Sequence, residues 1–127
     1  MRHRISMEAM RQYHADTELA RRRADLLAAA REAEARFREA QSRHVPVIEQ
    51  HKLAEEFDAA LTAAMRAAYA AQRAAIGPRG YDDRIYRRKA KAKPRVHALT
   101  AEAEHLLTLR EAHRLNGIPA EPLEPAV

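Results

Sequence analysis

Between Ala59 and Ala75, ten of seventeen residues are alanine. Alanine is the strongest helix former and loses no rotamer freedom on folding. It also has little bulk, so a helix of this composition packs only where two backbones approach closely. Each such residue gains little from burial, at roughly 25 cal/mol per Å² of apolar area. The side chains that usually fill a core are scarce, because Leu, Ile, Val and Phe number 22 in 127 residues. That share lies near the range where a chain stops forming a core alone. Ordering still costs on the order of 1.5 kcal/mol per residue. The expectation is a protein that draws much of its stability from self-association or from a partner.

Helix signals organise the chain. Ser6 reads as an N-cap with Glu8 in the first turn, and neither Gly nor Pro occurs from Met7 to Arg43. Leu26, Ala30, Ala33, Phe37 and Ala40 follow a 4-3-4-3 spacing, a narrow coiled-coil-like stripe. One rod of roughly 55 Å is expected there at 1.5 Å per residue. Pro46 breaks it into a kink or reversal. A second helix runs from about Val47 to Ile76, with Leu53, Phe57, Leu61 and Met65 on its stripe, and Gly77-Pro78 stops it. A third helix is expected from Leu99 or Thr100 to Asn116, with Leu106 facing inward and Asn116-Gly117 as C-cap.

The fold expected is therefore all-α, a long antiparallel helical hairpin over residues 1–78 hinged at Pro46. A basic connector (79–97), a shorter C-terminal helix (98–117) and an extended Pro-rich tail (118–127) complete it. Helices of about 37, 30 and 18 residues by these boundaries are too unequal to close a tidy bundle. Part of the long stripe should then be left for another chain, with Leu26, Phe37, Leu53, Phe57, Leu61, Met65 and Leu106 as the helix–helix interface set.

Charge is uneven. Residues 79–97 hold eight of the 23 Lys and Arg but two of the 18 acids, while the formal excess of the whole chain is +5. Arg79, Arg84, Arg87, Arg88, Lys89, Lys91, Lys93 and Arg95 form the candidate set for binding a polyanion or an acidic partner. Tyr81 and Tyr86 are candidates to stack on a base or pack on a sugar. Within the connector, residues 81–88 allow a short helix capped by Asp82. Arg21-Arg22-Arg23 is a second basic cluster, but Asp16, Glu18 and Asp25 flank it, so intrahelical ion pairs account for it.

Other chemistries find little support. The chain has no cysteine, hence no disulfide, thiol nucleophile or Cys-based zinc site. None of its seven histidines makes the i,i+4 pair of a zinc helix, and Glu102 with His105 supplies only one Glu-x-x-His. No glycine-rich phosphate loop or nucleophile elbow occurs. No catalytic residue, metal or cofactor is expected, and the protein is expected not to be an enzyme. No secretory signal pattern follows Met1, and no uncharged run approaches the ~20 residues of a membrane span, so a cytoplasmic or intravirion setting is expected.

The resulting functional expectation is a structural or adaptor subunit of a larger assembly, such as a phage virion component. Its partners would be other protein subunits in a homo- or hetero-oligomer, with the connector on an anionic surface and no membrane. The alternative is a DNA- or RNA-binding regulator or ribosome-associated factor using residues 79–97.

Overall fold

A computed structural model describes residues 4–118, and among them every regular element is helical. Helix α1 spans Met7–Arg21, and the Ser6 hydroxyl caps it by accepting from the Ala9 amide at 3.0 Å. The single rod expected from Met7 to Arg43 is instead two helices. The chain tightens at Arg22, whose amide bonds Leu19 O at 3.0 Å, the i−3 bond of a narrower turn. Helix α2 then spans Arg23–Ser42. The bend lets both segments follow the same neighbour, since α1 and α2 each pack along the next helix.

His44, at φ 53°, turns the chain after α2. Pro46 starts helix α3, Val47–Ile76, the limits its spacing predicts, and Pro46 O accepts the Glu49 and Gln50 amides at 2.9 and 3.1 Å. Gly77 ends α3 at φ 99°, a conformation open to glycine at little cost. Two short helices follow, α4 (Arg79–Asp82) and α5 (Arg84–Ala90). Helix α6 then spans Pro94–Ala112 and continues into a π-helical turn, His113–Gly117.

The connector differs from expectation in two ways. Helix α6 begins at Pro94, earlier than the expected Leu99 or Thr100, with Lys93 extended before it, because the first helical position has no intrahelical use for an amide donor. Asp83, rather than Asp82, caps α5 by accepting from the Tyr86 amide at 2.9 Å. Asp82 is turned to α1, where it accepts from the Ser6 amide at 2.8 Å and the Ser6 hydroxyl at 2.9 Å. The Pro-rich tail, apart from Ile118, lies outside the described residues.

Helix α3 is the hub, with α1, α2 and α6 packed around it. Partners descend along one element as they rise along the other: Arg73 meets Asp16 and Phe57 meets Phe37, while Thr100 meets Gln72 and His113 meets Ala54. The main core joins Ala30, Ala33 and Phe37 of α2 to Ala54, Phe57, Leu61, Ala64 and Ala68 of α3 and to Ala103 and Leu106 of α6. Unequal helix length does not prevent this, because α6 supplies the third wall that the sequence reading left to another chain. At the end of α6, the His113 ring meets those of Phe37 and Phe57, with centroids 5.5 and 4.6 Å away. A second cluster of Ile76, Ala90 and Val96, with Ala75 and Tyr86 against it, fastens α5 and the start of α6 to the end of α3.

Candidate anionic-partner interface

The basic segment is built as a rigid end-piece on α3. Gly80 sits so close to α3 that a Cβ there would lie 2.5 Å from Ile76 Cγ2. Arg87 Nη1 donates to Gly80 O at 2.8 Å and ties α5 back onto α4. Arg79 donates to the Asp83 carboxylate from Nε and Nη2, at 3.3 and 3.2 Å, and its guanidinium lies 4.6 Å over the Tyr86 ring. Tyr81 donates its hydroxyl to Asp16, which also accepts from Arg73 Nε and Nη2 at 2.8 and 3.1 Å. Burial, then the bond to Asp16, holds the Tyr81 phenol well above its ordinary pKa. The same carboxylate raises that of Arg73.

Four of the ten residues singled out here are thus engaged within the chain: Arg79, Tyr81, Tyr86 and Arg87. The other six, Arg84, Arg88, Lys89, Lys91, Lys93 and Arg95, are all exposed, and none forms an ion pair with another described residue. They are grouped on α5, the turn after it and the first turn of α6. Elsewhere several arginines find carboxylates, among them Arg21 with Glu18, Arg38 with Glu34, Arg43 with Glu39, and Arg114 with Asp58, while Arg22, Arg31, Arg36 and Arg66 are exposed, scattered along the first three helices, and form no ion pair with another described residue. Of the Arg21-Arg22-Arg23 cluster, Arg21 pairs within its helix, while Arg23 reaches across to Glu102 of α6.

Sequence reasoning missed two features of this end. Ile85 is 68% exposed amid the cations, beside an open concavity of about 600 Å³ lined by Asp82, Asp83, Arg84, Ile85 and Arg88. The 3.6-residue period does carry that signal, since Tyr86 and Ala90 take the inner face of α5 and leave Ile85 outward. The second feature is Asp16, which no local spacing rule links to residue 81.

The seven residues of the helix–helix set all lie at contacts inside this one chain. Phe37, Phe57, Leu61 and Leu106 are buried in the main core, and Leu26, Leu53 and Met65 pack against it. Among the described residues, no three His, Asp or Glu side chains gather as a metal ion would need. None of the helices there is long and apolar enough to cross a membrane. No family model, curated protein or solved structure matches this chain.

Proposed function

We propose that this protein is a non-enzymatic structural or adaptor subunit of a larger assembly, of the kind a phage virion or the cytoplasm holds. Its helices make protein–protein contacts, and the basic end formed by α5 and the start of α6 docks on an anionic surface. On this reading α2 and α3 act as an antiparallel, coiled-coil-like hairpin that carries the docking end. The observation behind it is the cluster of six exposed cations, none ion-paired with another described residue, on a molecule in which Arg21, Arg38, Arg43 and Arg114 find carboxylates. Unopposed like charge on a fixed scaffold repels itself and raises the local potential, which an anionic partner relieves. Shape adds to charge, since Ile85 sets an exposed apolar point beside Arg84 and Arg88.

Two variants with equal change in net charge test whether position matters. Arg88→Glu with Lys89→Glu alters the basic end, and Arg31→Glu with Arg36→Glu alters an exposed part of α2. On a sulfated polysaccharide matrix, the first variant should elute at clearly lower salt than the second. Equal elution would mean that only the overall charge of the molecule attracts polyanions, and the docking reading would fail.

A further inference from the structure

We infer that the anionic partner of the basic end is the sugar–phosphate backbone of double-stranded nucleic acid, held through Arg84, Arg88, Lys89, Lys91, Lys93 and Arg95 without recognition of bases. The inference rests on the docking reading above and narrows it to one class of macromolecule.

Four observations favour phosphates over an acidic protein surface or a single strand. The first is the fate of the tyrosines. A surface for single strands offers free rings on which bases stack, at about 1–3 kcal/mol per base. Here the Tyr81 hydroxyl is bonded to Asp16, and the Tyr86 ring is covered by Arg79 and packed on the Ile76–Ala90–Val96 cluster. The Tyr86 ring is thus committed and Tyr81 is anchored by its hydroxyl, so charge is the larger part of what this end has to offer. The second is the composition of the set. Three of the six cations are lysines, a residue depleted in the cores of protein interfaces, whereas the point charge of an ammonium suits a phosphate oxygen. Ile85 is a lone apolar residue, short of the aromatic or aliphatic cluster that anchors protein partners.

The third observation is preorganisation. Arg84, Arg88 and Lys89 stand on α5 and Arg95 on α6, with Lys91 and Lys93 in the short turn between, and the Asp83 cap, the Arg87–Gly80 bond and the second core cluster hold these elements. Binding a regular, repeating charge array therefore needs little backbone ordering. The fourth is the direction of α6. Lys93 and Arg95 flank its first turn, where the positive end of a nineteen-residue helix adds to their charge.

The test is a fluorescence anisotropy titration of the full chain against a labelled mixed-sequence DNA duplex, repeated over a range of salt concentrations. Six neutralised phosphates set an upper slope of about −5 for log affinity against log salt, at roughly −0.9 per phosphate. Lys89→Ala with Lys91→Ala should lower the magnitude of that slope by about 2 and weaken binding about tenfold at low salt. Both side chains are exposed, so the variant keeps its fold, as circular dichroism will verify. Duplexes of unrelated sequence should bind within about twofold of each other, and Ile85→Ala should leave duplex affinity within the same margin.

Polyglutamate, titrated in parallel, stands in for an acidic protein. Binding to polyglutamate but not to duplex, lost in the double-lysine variant, overturns the nucleic-acid inference and leaves the docking reading standing. Binding to neither overturns both. Duplex binding that ignores the two lysines, or that discriminates strongly between sequences, also overturns the inference.

Discussion

Asp16 ties the beginning of the basic end to two longer helices. Its carboxylate takes two hydrogen bonds from Arg73 and one from Tyr81, so α1, α3 and α4 meet at one group. The Arg73 side chain keeps 42% exposure against 14% for Asp16, so water screens part of the ion pair. After that discount, Asp16→Ala should lower the free energy of unfolding by about 1–2 kcal/mol, because it strands a guanidinium and a phenol. Urea titration measures this, and an unchanged midpoint would show that the three elements are held by other means. The phenol adds a pH dependence. Its pKa is raised in the folded state from an ordinary 10.0, so the folded chain holds that proton more tightly than the unfolded chain. The stabilisation is complete below about pH 10 and is lost as pH rises beyond it toward the folded value. Tyr81→Phe should therefore flatten the decline of stability above pH 10, and parallel curves for variant and wild type would refute the assignment. Little of this was legible in the sequence. Local rules bring out caps such as Ser6, but they put the α5 cap one residue early, since both Asp82 and Asp83 have the right chemistry. Only the long-range bond to Ser6 decides between them.

Among the elements, α3 was the most legible and is the most constrained. Its limits follow from Pro46 and Gly77, and one row of its alanines is fully enclosed, with Ala54, Ala67, Ala68 and Ala70 at 0% exposure. A larger side chain at such a position has no room, and overpacking typically costs about 1–3 kcal/mol. Ala67→Leu should destabilise by that amount in thermal or urea melts, while Ala59→Leu on the exposed side should stay within about 0.5 kcal/mol. Equal effects would mean that α3 is not closely packed. The joint at Arg22 and the start of α6 at Pro94 were not legible, for different reasons. Nothing in the run of good helix formers around Arg22 breaks a helix, so the bend answers to tertiary packing. Proline, by contrast, either stops or starts a helix, and which of the two it does depends on whether the segment after it finds a surface to cover.

At the scale of the molecule, all-helical character followed directly from composition, whereas the closure of three unequal helices around one did not. Pattern alone could not show that α6, with Ala103 and Leu106, would complete the core on α3. An apolar surface remains among the described residues, on which Met7, Ile48 and Leu115 keep 75%, 67% and 80% exposure. Self-association is expected to cover part of it, so light scattering at micromolar concentration should give a mass above 14.4 kDa and the melting midpoint should rise with protein concentration. A monomeric mass with a concentration-independent midpoint would refute that expectation. One further consequence follows from the way α1 is attached. Ala9 is its only fully buried residue, yet through Ser6 and Asp16 it grips Asp82 and Tyr81, 76 and 65 positions further along the chain. The amino-terminal helix is thus a latch. Whatever pries it loose sets α4 free of α1, while the Ile76–Ala90–Val96 cluster still fastens α5 and its cations to α3.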